Sequence, residues 1–141
     1  MIVRDLQPAD LPAATILLDE LGYALDEAEV RARFERLLAA PAHRVQVAEL
    51  DGQVVGLLHV FERPALEKPC EAVVQSLVVD ANCRGSGVGA ALMADAEAWA
   101  RARGLLSVAL YTGVSREPAH AFYKRIGYAR AGTSHLMRRS L

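Results

Sequence analysis

Three alternate glycines mark the part of the chain that is best suited to bind a ligand. They lie in the segment Arg84-Gly85-Ser86-Gly87-Val88-Gly89, between an apolar run and a segment of helical periodicity. Glycine has no Cβ atom, so a ligand can contact the backbone, and the first N–H groups of a helix have no partner within it. Arg84 adds a permanent positive charge. The segment predicts a phosphate or pyrophosphate site; the alternative is a flexible turn whose glycines allow close helix packing.

The spacing of these glycines narrows the choice of phosphate ligand. A P-loop needs Lys and then Ser or Thr after its last glycine, whereas Ala90 and Ala91 follow Gly89. The dinucleotide pattern G-x-G-x-x-G has a different spacing. No G-x-S-x-G motif surrounds Ser86, which disfavours a serine hydrolase of that type. Nucleoside triphosphates and NAD are therefore poor candidates, and a kinase or nucleotide transferase would lack its loop lysine.

A second motif lies near the C-terminus. It reads Ala119-His120-Ala121-Phe122-Tyr123-Lys124-Arg125-Ile126-Gly127-Tyr128. This motif is similar to the A-x-x-F-Y-x-x-x-G-F/Y helix of the GCN5-related N-acetyltransferase (GNAT) superfamily, and Arg84, Gly87 and Gly89 match that family's Gln/Arg-x-x-Gly-x-Gly/Ala signature. The chain thus resembles this family over nearly its whole length. The resemblance implies an acyltransferase that moves the acetyl group of acetyl-coenzyme A directly to a primary amine.

The resemblance also implies which residues bind the cofactor. The strand before the glycine segment would form backbone hydrogen bonds with the pantetheine arm, and the segment itself would bind the pyrophosphate. Arg116 stands where many members have Asn, so we expect it to contact a phosphate instead. The expected cofactor-binding residues are Leu77, Val78, Val79, Arg84, Gly85, Ser86, Gly87, Val88, Gly89 and Arg116.

Acetyl transfer needs an acid that protonates the departing thiolate and a base that takes a proton from the amine. The resemblance places Tyr123 beside the sulfur, and a phenol with a pKa of ~10 keeps its proton at neutral pH. A backbone N–H around Val78 would polarise the thioester carbonyl. For the base, Glu71 at the start of a strand is the first candidate and His59 the second. The alternatives are a solvated Glu71, a structural His59 and a Tyr123 that packs only through its ring.

Acceptor recognition in this family usually involves the first two helices and the turn between them. Tyr23 in that turn is therefore a candidate substrate-binding residue, although a core or hinge position would suit it equally. The implied partner is a small-molecule or peptide amine, and a homodimer is compatible with the resemblance. Because the base is not obvious, the alternative function is a non-catalytic acyl-coenzyme A sensor or partner-binding module with the same fold.

Length, composition and cysteine spacing limit the classes of protein to which this chain can belong. A chain of 141 residues fits a single N-acetyltransferase domain spanning 1–141. Its 16 basic and 17 acidic residues give a net charge of -1, which disfavours nucleic acid as a partner. Cys70 and Cys83 have neither disulfide-framework nor zinc-site spacing, so no metal is expected. No apolar run is long enough to span a membrane. We therefore expect a cytoplasmic protein that binds no membrane.

Periodicity and turn signals predict the order β-α-α-β-β-β-α-β-α-β. This is a mixed α/β (α+β) class, the acyl-CoA N-acyltransferase fold, with a central, mostly antiparallel mixed sheet, one parallel βαβ unit and about four flanking helices. Asp10 is expected to cap the first helix, Asp26 the second, and Asp51-Gly52 to form a hairpin turn. The run 72–79 predicts a central strand, and 135–139 a last strand.

Overall fold

The computed structural model describes residues 1–141, and it contains five strands and four helices. The strands are β1 (Ile2–Asp5), β2 (His43–Leu50), β3 (Gln53–Arg63), β4 (Glu71–Val79) and β5 (Val108–Leu110). The helices are α1 (Leu11–Leu21), α2 (Glu27–Leu38), α3 (Val88–Ala102) and α4 (Glu117–Arg125). The chain divides into two compact units, Met1–Leu110 and Tyr111–Leu141. The mixed α/β class is confirmed, whereas a single domain over 1–141 stays a prediction.

All strands of the first unit form one mixed sheet in the order β1-β2-β3-β4-β5. Neighbouring strands are antiparallel except β4 and β5, which are parallel and connected through α3, as the predicted βαβ unit requires. Asp51 and Gly52 both have positive φ values, 49° and 77°, which suits the tight turn of the β2–β3 hairpin. β4 lies inside the sheet between β3 and β5, as the prediction of a central rather than an edge strand requires, although β3 is the middle strand and β5 accompanies β4 only over residues 72–74.

The two faces of the sheet carry different helices. On one face, which we call the α1/α2 face, apolar side chains of α1 and α2 pack on the strands. That core consists of Leu6, Leu11, Ala14, Leu17, Val30, Phe34, Val47, Leu57 and Val78. On the other face α3 packs on β3, where Gly56 lets it approach closely. A Cβ atom on Gly56 would lie 2.8 Å from Val88 Cγ1 and 2.9 Å from Leu92 Cδ1. The first turns of α3 are therefore held against the sheet at a glycine.

Helix boundaries follow from local signals, with one exception. Gly22 ends α1 at φ 112°, and the Asp26 carboxylate accepts the Glu29 N–H at 2.8 Å, so both predicted signals are confirmed. Asp10 is not the side-chain cap of α1 that was predicted. Its carboxylate instead accepts two hydrogen bonds from Arg4, at 2.7 and 3.0 Å, and one from the Gln7 N–H at 2.8 Å. A buried carboxylate is better stabilised by a guanidinium fork than by a helix N–H.

Ion pairs also surround the first strand. Arg4 contacts Glu49 at 2.9 Å in addition to Asp10. Asp5 accepts from Arg44 at 2.8 Å, and Arg44 extends to Asp95 at 3.0 Å. The charged residues of β1 are therefore paired with β2 and with Asp10 just before α1, and Arg44 of β2 connects Asp5 to Asp95 of α3.

The second unit, Tyr111–Leu141, contains α4 and no strand. Helix α4 ends where Gly127 adopts φ 102° and the Tyr128 N–H reaches the Tyr123 carbonyl at 2.9 Å. The predicted strand over 135–139 is wrong. That stretch places two apolar residues together and then two arginines, so it lacks the alternation of a half-buried strand. None of the helices combines the length and apolar character needed to cross a bilayer.

Candidate functional site

The glycine segment leads from the end of β4 into the first turn of α3. Gly85 and Gly87 have φ values of 81° and 86°, a region that residues with a side chain rarely adopt. A Cβ atom on either would meet nothing within 4 Å, so open space lies on that side of the backbone. No side chain caps α3, which leaves the N–H groups of its first turn available. This geometry can hold an anion, as the sequence indicates.

Two side-chain contacts order this segment at its start. The Asp80 carboxylate accepts the Asn82 N–H at 2.8 Å, and the Ser86 hydroxyl donates to the Cys83 carbonyl. Arg84 is exposed, and its Nε donates to the Val79 carbonyl at 3.4 Å. The guanidinium therefore lies beside the end of β4, where it adds positive charge to that of the helix N-terminus.

A β-bulge interrupts β4 next to this segment. His59 of β3 is opposite Ser76, but Val60 is opposite Val74, so Gln75 is an extra residue without a partner. The parallel pairing with β5 ends at Val74, directly before the bulge. From 76 to 79, β4 therefore pairs with β3 alone. The bulge adds local twist and separates β4 from β5, which leaves an edge that an extended ligand can join.

Backbone groups of this edge point in alternate directions. The Asp80 N–H donates to the Val55 carbonyl of β3 at 2.8 Å. Because antiparallel residues alternate, Val78 also faces β3, while Leu77 and Val79 turn their N–H and C=O groups to the edge that β5 leaves unpaired. Leu77 and Val79 therefore present backbone groups to the unpaired edge, and the predicted polarising N–H around Val78 stays a prediction.

Glu71 lies at the start of β4 among positive charges. Its carboxylate contacts Arg63 at 2.7 Å and Lys68 at 3.1 Å, and it accepts from the Ser107 hydroxyl at 3.2 Å. Burial would raise the pKa of Glu71, but the hydrogen bonds from Lys68, Arg63 and Ser107 outweigh it, so the pKa is lowered. A carboxylate held in this way is a poor proton acceptor.

A cavity of about 110 Å³ opens on the α1/α2 face of the sheet. Most of its lining is aliphatic or aromatic, and only Arg33, His59 and Ser76 are polar. The lining residues are Leu6, Leu11, Ala14, Leu18, Leu25, Val30, Arg33, Phe34, Leu37, Val45, Leu57, His59 and Ser76. The same face therefore carries an apolar pocket with a histidine in its wall.

His59 forms a pair with His43 of β2, with 2.9 Å between His43 Nδ1 and His59 Nε2. The Phe61 ring stacks on His43 at 5.1 Å between ring centroids. Burial, with a smaller contribution from the neighbouring His43, lowers the pKa of His59 to about 4. The imidazole is therefore neutral at pH 7, and it is a weaker base than an ordinary histidine. The sequence did not single out His43, because counting outward from Asp51-Gly52 pairs residue 43 with residue 60 and puts it on the opposite face from His59. The register shift between Ala48 and Glu49 brings His43 opposite Phe61, on the face of His59.

We expect the free energy of unfolding to decrease as the pH is lowered from about 6.5 to about 4. Over this interval His59 binds a proton in the unfolded chain but not in the folded one, so stability is fully present above pH 6.5. The loss between pH 7 and pH 5 should be about 1–2 kcal/mol, allowing for partial exposure. Urea unfolding at both pH values measures it. His59→Gln should reduce the difference, and an unchanged difference would contradict the assignment.

The second unit holds two of the three remaining predicted site residues. Tyr123 lies in α4, edge-on to Phe122 and Tyr128 at centroid distances of 5.1 and 6.0 Å. Burial raises the pKa of Tyr123, partly offset by the nearby Arg116 guanidinium. Arg116 is exposed at the N-terminus of α4, where its backbone carbonyl accepts the His120 N–H at 3.1 Å. The phenol therefore keeps its proton at neutral pH.

Tyr23 lies in the turn between α1 and α2, and 59% of its surface is exposed. Its N–H donates to the Leu18 carbonyl at 2.9 Å, which fixes the backbone and leaves the ring in solvent. This exposure disfavours the core alternative and leaves the ring accessible.

Comparison with known proteins relates this geometry to one family. Residues 11–128 match the sequence model of the acetyltransferase (GNAT) family. The chain is 36% identical over 112 residues to a mycothiol acetyltransferase of Cellulomonas flavigena; the match covers 75% of this chain and 32% of that protein, about a third of its length. It is 32% identical over 114 residues to an aminoalkylphosphonate N-acetyltransferase of Salmonella typhimurium, covering 80% of this chain and 74% of that one.

A solved structure shares the fold. An aminoglycoside antibiotic 6'-N-acetyltransferase from Acinetobacter haemolyticus superposes with a TM-score of 0.87 over 100% of this chain and 99% of that chain, at 20% identity. The predicted fold is thereby confirmed.

Proposed function

Because this chain belongs to the acetyltransferase (GNAT) family, we propose that it transfers the acetyl group of acetyl-coenzyme A to a primary amine. The proposal rests on one structural observation. The glycine segment at the N-terminus of α3 lies beside the edge of β4 that β5 leaves unpaired. An anion site next to an open strand edge suits a ligand that joins a pyrophosphate to an extended, amide-containing arm.

The donor would be held mainly by backbone groups. Its pyrophosphate would accept hydrogen bonds from the N–H groups of Gly87, Val88 and Gly89, with Arg84 as the charged partner. The space on the Cβ side of Gly85 and Gly87 supports such a close approach. The pantetheine amides would pair with Leu77 and Val79 as an added strand, and one of these N–H groups would polarise the thioester carbonyl. Arg116 remains our candidate for a further phosphate contact.

The donor supplies an activated acetyl group, and the chain must supply protons in the right places. Tyr123 would protonate the departing thiolate, because its phenol carries a proton at neutral pH; burial raises the pKa of Tyr123 and makes it a weaker acid, so the role rests on the position that the resemblance gives it. Glu71 was the first candidate for the base, but its two ion pairs make it weaker than an unpaired carboxylate. Exposed Tyr23 would contact the acceptor. The acceptor would be a small-molecule or peptide amine.

Tyr123→Phe should lower kcat about 10- to 100-fold and leave the acetyl-coenzyme A dissociation constant within twofold of wild type. The ring is kept, so packing against Phe122 and Tyr128 survives, and only the proton donor is lost. Steady-state kinetics and calorimetry measure the two quantities. Tyr111→Phe, also within the second unit, is the matched control. Unchanged turnover in Tyr123→Phe would remove this residue as the acid.

Release of free coenzyme A thiol on addition of amines tests the function as a whole. We expect thiol release that depends on both acetyl-coenzyme A and an amine, with the acetylated amine identified by mass spectrometry. Tight binding of acetyl-coenzyme A without transfer to any amine would instead favour the non-catalytic sensor. A chain that binds no acetyl-coenzyme A would contradict both functions. Cytoplasmic location and homodimer formation stay predictions.

A further inference from the structure

Ser76 belongs both to the cavity on the α1/α2 face and to the part of β4 that β5 leaves unpaired. The side chain of Ser76 lines the cavity, and its backbone belongs to the part of β4 that β5 leaves unpaired. His59 lies directly opposite Ser76 on β3 and lines the same cavity. Neighbouring strands are about 5 Å apart. A molecule in the cavity would therefore lie within reach of both an acyl group at the β4 edge and the His59 imidazole.

We infer that this cavity binds the acceptor as a short, apolar primary monoamine, and that His59 takes the proton this amine loses and passes it to His43. The inference rests on the proposed acetyl transfer, which it deepens by naming the acceptor class and the base. In this inference His59 and His43 together act as the base, for which the sequence had offered Glu71 and His59 as candidates.

The size and lining of the cavity define the acceptor. A cavity of about 150 Å³ accepts benzene, so a volume of about 110 Å³ suits a short branched alkyl group. No carboxylate lines the cavity, and the one charged side chain in its wall is Arg33, which would repel a second ammonium group. An apolar wall also favours the neutral form of an amine over the ammonium form, because burial penalises charge. The amine would thus enter ready to act as a nucleophile.

The proton balance defines the part played by the histidines. The amine nitrogen forms a bond with the acyl carbon, the C–S bond breaks, and the thiolate takes a proton from Tyr123, which regains one from solvent. The nitrogen, positively charged once bonded to the acyl carbon, releases its surplus proton to His59 Nδ1. His59 Nε2 then donates its own proton to His43 Nδ1, 2.9 Å away, and His43 releases the proton on its Nε2 to solvent, so both rings end neutral. The relay requires the tautomer in which Nε2 of His59 carries the hydrogen.

This relay suits the surroundings of the two rings. A half-buried His59 that is hard to protonate would not retain the proton, whereas His43 in β2 is the partner that removes it. The titratable or charged groups that face His59 are Arg33 from α2 and His43 from β2. The cavity-lining residues of α1 and β4 are uncharged: Leu11, Ala14, Leu18 and Ser76. The path for the proton therefore leads through His43.

Two amines of equal size test the acceptor class. 3-Methylbutylamine and 1,4-diaminobutane each have six heavy atoms, but the second carries an additional ammonium group. We expect kcat/KM to be at least about 100-fold higher for 3-methylbutylamine, because an apolar pocket cannot solvate the second charge. Ser76→Leu should fill the cavity, raise the KM for 3-methylbutylamine at least about tenfold and leave acetyl-coenzyme A affinity unchanged. Equal rates for the two amines would overturn the acceptor class.

Chemical rescue tests the base. His59→Gln should lower kcat for 3-methylbutylamine about 100-fold at pH 7.5, with partial recovery in added imidazole and a smaller defect at pH 9.5. His43→Gln should cause about a tenfold loss, and His135→Gln, an exposed histidine of the second unit, none. A structural role for His59 would give neither rescue nor a changed pH profile, and that result would overturn the relay.

The outcomes of these experiments distinguish failure of this inference from failure of the proposed function. Calorimetry with acetyl-coenzyme A is performed on every variant, alongside thermal unfolding. If wild type binds acetyl-coenzyme A and acetylates 1,4-diaminobutane but not 3-methylbutylamine, the acetyltransferase function stands and the inferred acceptor fails. If wild type neither binds acetyl-coenzyme A nor releases coenzyme A with any amine, the proposed function itself fails. If His59→Gln does not fold, Ser76→Leu and His43→Gln still decide the case.

Discussion

Replacing Gly85 and Gly87 together by alanine should weaken acetyl-coenzyme A binding by at least about 1000-fold. Two Cβ atoms would project into the open space beside the loop, and the backbone would leave its left-handed conformation. Loss of two hydrogen bonds to a charged pyrophosphate costs about 4 kcal/mol, which corresponds to three factors of ten. Calorimetric titration measures the affinity.

The chain offers a matched control for backbone strain. Gly52 and Gly104 have φ values of 77° and 76°, and a Cβ atom on either also meets nothing within 4 Å. The double variant Gly52→Ala/Gly104→Ala should therefore lose a similar amount of stability and keep its affinity for acetyl-coenzyme A. If both double variants lose affinity equally, the loss reflects strain and the phosphate site is not in this loop.

Gly56→Ala should destabilise the protein by about 3 kcal/mol and lower Tm by about 10 °C. The new Cβ would lie 2.8 Å from Val88 Cγ1 and 2.9 Å from Leu92 Cδ1, so α3 must move away from β3. Leu92 can adjust through its flexible end, but the branched Val88 cannot. Because Val88 begins α3, the displacement should also weaken acetyl-coenzyme A binding. Urea unfolding and calorimetry measure the two effects.

A second substitution separates the steric clash from other causes. Val88→Ala removes Cγ1, so Gly56→Ala/Val88→Ala should lose less stability than the sum of the single variants. Gly132→Ala, where a Cβ meets nothing within 4 Å, should change stability by less than about 0.5 kcal/mol. Additive losses in the double variant would show that the clash with Val88 is not the cause.

Local signals made most elements of the first unit predictable. Gly22, Asp26 and the Asp51-Gly52 turn mark their helix ends and hairpin through short-range geometry, so the sequence around each one is sufficient. The glycine loop was predictable for the same reason. Backbone with a positive φ beside an uncapped helix N-terminus favours glycine at particular positions, and the sequence shows those glycines. The pairing of Asp10 was not predictable in this way, because the position of its partner Arg4 depends on the fold.

The bulge at Gln75 explains why the side chains of β4 could not all be assigned to a face of the sheet from the sequence. Strict alternation along β4 would place Ser76 and Glu71 on opposite faces of the sheet. The extra residue reverses the alternation, so Ser76 lines the α1/α2 face, to which Glu71 and Val73 also belong through their partners Arg63 and Phe61. A bulge has no reliable signature in one sequence. The pairing of His43 with His59 likewise depends on tertiary structure.

We expect the paired charges of β1 to disfavour the addition of a strand from another chain. An outer strand presents unpaired backbone groups to which a strand of another chain can add. β1 is only four residues long, and Arg4 and Asp5 are fixed in ion pairs with Glu49, Asp10 and Arg44. A second chain joining this edge would pack beside these charges and disturb their pairing. A chain with 52% hydrophobic residues thus presents a short, charged strand at this border of its sheet.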